Sequence, residues 1–269
     1  MKFGFIGAGN MAGAIVKGMM ASGEYKGSDI LLTSKTVVSA RKLAKDCGVR
    51  AYETAAEVIA ESDVLVLAVK PHVLPLLLPA LQKEIAAKAP LVVSIAAGKT
   101  LPELAEMLPE QTPIVRVMPN INATIGASTS GLCANMLVTV EQKAIVRRMF
   151  ETIGTVAEVA EEHFSIFTVL GGSAPAFAYL YMDALARAGV KAGMSKQQAL
   201  QIVAETVLGS AKMVLTSEDA PWTLIDRVCS PGGTTIEGIA ALQANGFEST
   251  IMKAFDAVLE KDLRMSGRK

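Results

Sequence analysis

The sequence predicts an α/β fold in its N-terminal part, built on a doubly wound and mostly parallel sheet, followed by an all-helical C-terminal part. Up to about residue 160, short β-branched runs alternate with segments of helical spacing, and this order requires parallel strands joined by crossover helices. After about Glu161, sequence rich in Ala, Leu and Met with helical spacing replaces the β-branched runs. The 269 residues suffice for two domains, which we expect at 1–160 and 161–269.

The predicted strands are apolar on both faces, as is typical of a sheet covered by helices on both sides. They span 2–6, 29–33, 63–68, 91–95 and 114–118. Helical spacing between them predicts helices at 10–22, 37–47 and 101–108. A further strand-helix-strand stretch over about 126–159 is expected to extend the sheet to an edge.

The C-terminal helices are predicted at 175–192, from Ser195 to about 215, briefly after Ser217, from near Pro231 to Asn245-Gly246, and over about 248–263. Residues 177–182 are apolar on more than one face of their helix, so this helix needs neighbours nearly all round. A tight monomeric bundle is one solution. We favour a homodimer that pairs through the C-terminal helices, and larger assemblies of dimers stay open.

Composition argues against several other classes of protein. Lys plus Arg equals Asp plus Glu at 26 each, so the chain lacks the basic excess of most proteins that bind nucleic acid or anionic membranes. The charge-free stretch 164–182 is interrupted by Gly171-Gly172 and Pro175, which argues against a membrane helix. Three scattered cysteines and two isolated histidines offer neither a disulfide framework nor metal-ligand spacing, and a cytoplasmic location is expected.

A glycine motif follows the first predicted strand directly. The segment Gly7-Ala8-Gly9-Asn10-Met11-Ala12 has the form G-x-G-x-x-A at the start of a helix. In Rossmann-type sheets the first glycine permits the tight turn, the second lets the main chain approach a pyrophosphate, and the small third residue lets helix and strand pack closely. The alternative is a tight turn without a ligand. The position after strand one favours dinucleotide binding, with the anion at the helix N-terminus.

The residues at the end of the second predicted strand indicate whether the cofactor is NAD(H) or NADP(H). NAD-dependent sheets place an acidic residue there to bond the ribose 2′-hydroxyl, whereas this chain has Thr33-Ser34-Lys35. Asp29 is at the opposite end of that strand. Hydroxyls and an ammonium suit a 2′-phosphate, so we expect NADP(H), with NAD(H) as a weaker alternative. Lys35 is otherwise a solvated loop charge.

A second glycine motif lies in the helical part, in Cys229-Ser230-Pro231-Gly232-Gly233-Thr234-Thr235. Ser230 is suited to cap a helix that begins at Pro231, but glycines in a first turn cost about 1 kcal/mol each relative to Ala. A close approach to the main chain is therefore expected. Its source is either a crossing helix or a small anion such as a carboxylate on the exposed amides.

These motifs, with three others, resemble the pyrroline-5-carboxylate reductase family in order along nearly the whole chain. The matching runs are Gly4-Phe5-Ile6-Gly7-Ala8-Gly9-Asn10-Met11, Ala68-Val69-Lys70-Pro71, Ser94-Ile95-Ala96-Ala97-Gly98, Arg116-Val117-Met118-Pro119-Asn120 and Asp226-Arg227-Val228-Cys229-Ser230-Pro231-Gly232-Gly233-Thr234-Thr235-Ile236. The resemblance implies an enzyme of proline biosynthesis that reduces a cyclic imine to L-proline with NAD(P)H, as a dimer or an assembly of dimers.

The resemblance also implies a set of site residues. Together with Lys35, the predicted cofactor residues are Ile6, Gly7, Ala8, Gly9, Asn10, Met11, Ser34, Ala68, Val69, Lys70, Pro71, Ile95, Ala96 and Ala97. The predicted substrate residues are Glu218, Ser230, Gly232, Gly233, Thr234 and Thr235. Thr235 is expected to bond the substrate's ring nitrogen, and the amides from Gly232 to Thr234 to hold its carboxylate. No metal is expected.

The chain departs from the family's usual pattern in a few places. Ile121-Asn122 stands where Thr-Pro is usual, Gly171-Gly172-Ser173-Ala174-Pro175 stands for Ser-Gly-Ser-Gly-Pro, Ala55 replaces a polar residue, and Arg227 replaces an Asn of some members. Two rival functions share the layout. A 3-hydroxyacid-type dehydrogenase would need a lysine acid, for which Lys191 at a helix end is the candidate. A non-catalytic NADP-binding regulator would bind cofactor without turnover.

Overall fold

The computed structural model describes residues 1–265. They form two compact units, Met1–Ser173 with the described residues from Leu259 onward, and Ala174–Val258. The last residues of the predicted second domain, 266–269, lie outside the described residues.

The first unit is built on one sheet. Its strands are β1 (Phe3–Ile6), β2 (Ile30–Thr33), β3 (Arg50–Ala51), β4 (Val64–Leu67), β5 (Leu91–Ser94), β6 (Ile114–Met118), β7 (Ser128–Ala134) and β8 (Gly154–Glu158). Their order is β3-β2-β1-β4-β5-β6-β7-β8. Neighbouring strands are parallel except for β6 and β7, which are antiparallel. The predicted doubly wound, mostly parallel sheet is confirmed, including the strand-helix-strand extension to an edge.

Helices cover both faces of this sheet. They are α1 (Asn10–Ala21), α2 (Val37–Cys47), α3 (Ala55–Glu61), α4 (Leu74–Ala80), α5 (Gln82–Lys88), α6 (Leu101–Met107), α7 (Val140–Glu151) and α8 (Phe164–Phe167). Two apolar cores result, one beneath α1, α2 and α7 and one beneath α3 to α6. Because both faces are covered, the central strands are buried along their whole length.

The first unit ends in a π turn that the sequence pattern did not predict. Gly171-Gly172 and Pro175 were expected to interrupt the helical sequence, but the chain forms a π turn over Thr168–Ser173 and continues directly into the next helix. A π turn widens the helix by one residue, and such turns accommodate a proline that cannot donate to the preceding turn. The interruption predicted within 164–182, which was the evidence against a membrane helix there, is therefore wrong.

The second unit consists of helices. They are α9 (Ala174–Lys191), α10 (Lys196–Thr216), α11 (Pro221–Val228), α12 (Thr234–Ala244) and the first part of α13 (Phe247–Met265). Ser195 caps α10 as predicted, with its hydroxyl oxygen accepting from the Gln198 amide at 3.3 Å. Among residues 174–258, all of which are described, the buried ones are Ala186, Ala199 and Val203. This unit therefore has almost no core of its own.

The predicted helix start at Pro231 is wrong. Thr234 is the first residue of α12 and Gly233 its N-cap, so Ser230 does not cap a helix. The cause is Gly232, whose φ of +68° is left-handed and ends any helical path through residues 231–233.

By length and composition alone, two helical stretches of the described residues could cross a membrane. They are Glu161–Lys191 and Lys196–Thr216. A helix that packs against a second protein chain passes the same test, because its partner-facing residues are equally apolar.

Candidate active site

The first glycine motif forms a tight turn between β1 and α1. Gly7 has a φ of +114°, and a Cβ placed on it would collide with the carbonyl oxygen of Ala68. Its amide donates to the Thr33 carbonyl at 2.8 Å, which fixes the turn against β2. Gly7 therefore has to be glycine for reasons of the fold alone.

Gly9 is different, because the fold does not require it. A Cβ on Gly9 would meet nothing within 4 Å, so the space beside this residue is open. Gly9 is the N-cap of α1 and has no side chain to satisfy the first amides of the helix. Open space next to free amides at a helix N-terminus is what a pyrophosphate requires, so these residues fit a dinucleotide.

The strand register brings the predicted cofactor residues to one edge of the sheet. Ile6 pairs with both Thr33 and Leu67, and Leu67 pairs with Ser94. The segments that follow these four strands, beginning at Gly7, Ser34, Ala68 and Ile95, therefore leave the sheet side by side. Ligands of open parallel sheets bind at this carboxyl edge.

The two residues expected at a 2′-phosphate lie just beyond β2. Ser34 is half-buried, and its hydroxyl donates to the Thr36 carbonyl at 2.7 Å. Lys35 is exposed, and among residues 1–265 no ion pair joins it to a carboxylate. Its ammonium is free to pair with an anion from solution.

A cleft of about 680 Å³ runs along α1. Of the predicted cofactor residues, Ala8, Gly9 and Asn10 line it, while those following β4 and β5 do not. It continues along α1 past Lys17 and reaches Lys42 of α2, neither of which we expected at a site. The cleft and the predicted dinucleotide site thus share only the glycine turn.

The second glycine motif is a self-contained turn before α12. The Gly233 amide donates to the Ser230 carbonyl at 3.0 Å, and a Cβ on Gly233 would collide with the Ser230 side chain. The close approach inferred from sequence is thus to Ser230 of the same turn, and neither a crossing helix nor an anion is needed to explain the glycines. The amides of Thr234 and Thr235 start α12 and have no acceptor within it.

The turns on either side of α11 carry the predicted substrate residues. Glu218 precedes α11, the glycine turn follows it, and Glu218, Ser230, Thr234 and Thr235 are all exposed within the chain. The Thr235 side chain is therefore accessible to a ligand.

Metal ligation has no support in the part of the chain that the structure describes. No group of three or more His, Cys, Asp and Glu side chains within residues 1–265 is placed to hold a metal ion. His72 and His163 are both exposed. Cys229, next to the glycine turn, is half-buried.

Comparison with known proteins identifies the family. The enzyme of Escherichia coli (strain K12) called pyrroline-5-carboxylate reductase is 38% identical over 265 residues, covering 98% of each chain. The chain belongs to the pyrroline-5-carboxylate reductase family. Residues 161–265 match the model described as pyrroline-5-carboxylate reductase dimerisation, and residues 2–98 match the model described as NADP oxidoreductase coenzyme F420-dependent.

Solved structures of pyrroline-5-carboxylate reductases have the same fold. The Coxiella burnetii enzyme is 33% identical, with a TM-score of 0.92 and coverage of 98% of each chain. The Plasmodium falciparum enzyme, solved with NADP bound, is 30% identical, with a TM-score of 0.87, and the match covers 99% of this chain and 98% of that one. The family resemblance and the helical dimerisation domain inferred from sequence are confirmed.

Two departures from the pyrroline-5-carboxylate reductase pattern have structural consequences. Arg227, in the last turn of α11, forms an ion pair with Asp219, which ties the end of α11 to the turn that carries Glu218. Ile121-Asn122 opens a 3₁₀ turn over Ile121–Ile125, in which the Asn122 amide donates to Oδ1 of Asn120 at 3.0 Å.

Asn120 belongs to the motif Arg116-Val117-Met118-Pro119-Asn120, and no role was predicted for it from the sequence. The structure places its side chain at the carboxyl end of β6, donating from Nδ2 to the Gly171 carbonyl at 2.9 Å. A signal was present in the sequence, because Pro175 lies four residues after Gly171 and cannot donate to that carbonyl.

Proposed function

We propose that this protein is an NADPH-dependent pyrroline-5-carboxylate reductase, which reduces the cyclic imine 1-pyrroline-5-carboxylate to L-proline as the last step of proline biosynthesis. The observation that carries the proposal is the 38% identity to a reductase of this name over 98% of both chains. The open space beside Gly9 supports it independently, because the motif is built for an anion as well as for a turn.

The cofactor is held along the carboxyl edge of the sheet. The amides that begin α1 bind the pyrophosphate, and the segments after β4 and β5 line the dinucleotide on either side of it. The cofactor-binding residues in this proposal are Ile6, Gly7, Ala8, Gly9, Asn10, Met11, Ser34, Lys35, Ala68, Val69, Lys70, Pro71, Ile95, Ala96 and Ala97.

Ser34 and Lys35 select NADPH over NADH. The Ser34 hydroxyl and the exposed Lys35 ammonium, which has no ion pair with a described residue, lie beyond β2, where the adenosine ribose of a dinucleotide binds. NADH lacks the 2′-phosphate and binds without this ion pair, so it serves as the weaker alternative.

The substrate site is formed by Glu218, Ser230, Gly232, Gly233, Thr234 and Thr235. The substrate carboxylate binds the amides of the glycine turn. Because the Gly233 amide already donates to Ser230, the amides of Gly232 and Thr234 are the ones free to bind first. Glu218 lies on the other side of α11 and provides a negative charge that favours a protonated ring nitrogen.

The chemistry needs no strong acid from the chain. A cyclic imine becomes electrophilic when its nitrogen is protonated, and bound NADPH supplies a hydride from nicotinamide C4 to the imine carbon. The Thr235 hydroxyl accepts a hydrogen bond from the iminium nitrogen and orients the ring. A hydroxyl is too weak an acid to protonate the imine alone, so the proton comes from water, and positioning supplies much of the rate.

The C-terminal helices pair two copies of the chain. Residues 161–265 match a dimerisation model, and the second unit buries only three of its residues. An apolar groove of about 470 Å³ between α9 and α10 is lined by Leu185, Ile202 and Val203 among others. We assign it to the partner chain and not to lipid. In this proposal the chain has domains at 1–160 and 161–269. The protein is cytoplasmic, its dimers can assemble further, and it binds neither membranes nor nucleic acid.

The test is NADPH consumption by the purified protein with pyrroline-5-carboxylate, set beside several 2-oxo and 3-hydroxy acids. We expect NADPH to be oxidised with pyrroline-5-carboxylate and L-proline to accumulate in equal amount. Turnover of a 3-hydroxy acid instead would indicate a dehydrogenase of that class. Tight NADPH binding without turnover of any of these compounds would indicate a regulator.

A further inference from the structure

One main-chain carbonyl of the π turn accepts a hydrogen bond from a side chain that is distant in the sequence. In an α-helix the Gly171 carbonyl would accept from the amide of residue 175, but Pro175 has no N–H. The Asn120 side chain supplies the donor instead, with Nδ2 at 2.9 Å from the Gly171 oxygen. This hydrogen bond is buried, so its loss would remove the donor that stands in for the missing N–H of Pro175.

The Asn120 side chain is held at both ends. Its Oδ1 accepts from the Asn122 amide at 3.0 Å, and its own main-chain amide donates to the Ser128 hydroxyl at 3.1 Å. Asn120 is 6% exposed. Because the carboxamide oxygen is used locally, the nitrogen has to point at Gly171.

Glycines let the π turn pack directly onto the sheet. A Cβ on Gly172 would lie 3.1 Å from the Met118 Cε, at the end of β6. The Phe167 ring lies between Gly171 and Gly131 of β7, and a Cβ on either glycine would come within 2.6 Å of it. The π turn therefore packs closely against β6 and β7, and the hydrogen bond from Asn120 is its polar contact with the end of β6.

Asn120 lies on the side of the sheet where the nicotinamide is expected. Adenosine binds beyond β2 and the pyrophosphate at the turn after β1, so the other half of a dinucleotide extends over β4, β5 and β6. β5 pairs with β6 at Ser94 and Arg116, β6 ends at Met118, and Asn120 lies two residues beyond that end.

We propose that Asn120 is a positioning residue of the reductase, which fixes the π turn against the carboxyl end of β6 and thereby shapes the nicotinamide half of the cofactor site. This inference rests on the proposed function. It does not require Asn120 to touch the cofactor, since the side chain acts by holding the Gly171 carbonyl.

The test compares Asn120→Asp with Asn135→Asp. Asn135 has the same chemistry at the opposite end of β6: Nδ2 donates to the Thr112 carbonyl at 2.9 Å and Oδ1 accepts from the Ile114 amide at 3.1 Å. Calorimetry measures binding of NADP⁺ and of adenosine 2′,5′-bisphosphate, which lacks the nicotinamide. Asn120→Asp should weaken NADP⁺ binding about fivefold and lower kcat about tenfold. The Kd for adenosine 2′,5′-bisphosphate should stay within about twofold of the wild-type value. Asn135→Asp should leave kcat and the Kd values for NADP⁺ and for adenosine 2′,5′-bisphosphate within about twofold of the wild-type values.

A second comparison uses Pro175→Ala, which returns an N–H to residue 175. The main chain can then bond Gly171, so Asn120→Asp should cost less in that background, by at least about threefold in NADP⁺ binding. Equal costs in both backgrounds, unchanged NADP⁺ binding by Asn120→Asp, or an equal loss from Asn135→Asp would overturn the inference. A wild-type protein that binds NADP⁺ but does not reduce pyrroline-5-carboxylate overturns the proposed function instead, and the binding comparison still decides the role of Asn120.

Discussion

Arg116 and Glu161 form an ion pair in the first unit, with Nη1 of the arginine 3.0 Å from Oε1 of the glutamate. The arginine side chain is 4% exposed and also lies over the Phe164 ring, 4.0 Å from its centroid. Glu161 additionally accepts from the Leu101 amide and from the Cys133 thiol. The glutamate thus joins β6, β7 and the start of α6 at the residue where the match to the dimerisation model begins.

Removing this carboxylate should destabilise the first unit. Glu161→Gln leaves the Arg116 charge buried without its counter-ion, and we expect the free energy of unfolding to fall by about 2–3 kcal/mol, less than for a fully buried pair because Glu161 is partly exposed. Urea unfolding measures the change. The exposed neighbour Glu162 provides the control, and Glu162→Gln should have an effect below about 0.5 kcal/mol. Equal stability of the two variants would contradict this account.

Reversing the charge of Lys35 should change the preference between cofactors. Lys35→Glu places an anion at the proposed 2′-phosphate site, so we expect the KM for NADPH to rise about tenfold and the KM for NADH to change less than about twofold. Steady-state kinetics with both cofactors measure this. Lys45→Glu, which reverses an exposed charge in the last turn of α2, is the matched control. An equal rise for NADPH and NADH would remove Lys35 from the 2′-phosphate site.

Thr235 should matter for turnover and not for cofactor binding. Thr235→Ala removes the hydroxyl that we propose orients the ring, and we expect kcat/KM for pyrroline-5-carboxylate to fall about 100-fold with the Kd for NADP⁺ unchanged. Thr235→Ser keeps the hydroxyl and should retain most of the activity. If the alanine and serine variants are equally active, the hydroxyl has no part in the mechanism.

The extent to which the sequence determined the site differs between the two glycine motifs. Gly7-Ala8-Gly9 was predicted correctly as a strand-to-helix turn because the turn depends only on adjacent residues. At Gly232-Gly233 the same reasoning placed the helix start three residues early, since composition does not report a left-handed φ. The bond between Asn120 and Gly171 spans 51 residues and depends on the π turn, which has no sequence pattern of its own.

Strand β3 was not predicted from the sequence. β3 is two exposed residues long, Arg50 and Ala51, and lacks the apolar run that marks the buried strands. It pairs with β2 because the chain passes along that edge of the sheet, which periodicity does not encode. The buried strands β1, β4 and β5 were all predicted, because burial on both faces demands an apolar run.

A charge in the groove between α9 and α10 should dissociate the dimer. Ile202 is 48% exposed within one chain and lines that groove, so Ile202→Glu would bury a carboxylate against the partner. We expect sedimentation to show a monomer at concentrations where the wild type is a dimer. Gln201→Glu adds the same charge outside the groove lining and should leave the dimer intact. A dimeric Ile202→Glu protein would place the interface elsewhere.

The decrease in the free energy of unfolding at acid pH should depend in part on Glu61. A hydrogen bond from Lys2 and another from the Tyr52 hydroxyl lower the pKa of Glu61 to about 2, from an ordinary value of 4.5. The depressed pKa means that its contribution to stability is fully present above pH 4.5 and is lost as the pH falls from 4.5 to about 2. Burial and the bond to Glu61 raise the pKa of Tyr52 to about 12, so the phenol stays neutral over this range.

Urea unfolding across pH tests this directly. Glu61→Gln should be less stable than the wild type at neutral pH, and the difference should shrink as the pH falls below 4.5, the ordinary pKa of Glu61. Glu106→Gln, at an exposed position of α6, is the control and should show only a small difference in stability from the wild type. A deficit in Glu61→Gln that stays constant down to about pH 2 would show that the carboxylate charge is not the cause.

The transfer of hydride from the cofactor to the imine carbon is the central claim, and isotope tracing measures it most directly. NADPH carrying deuterium at the transferred position of nicotinamide C4 is incubated with pyrroline-5-carboxylate and the wild-type protein, and the product is analysed by mass spectrometry and NMR. We predict L-proline with one deuterium, on the ring carbon that was the imine carbon. Proline without deuterium, or oxidation of the cofactor without any proline, would contradict the account.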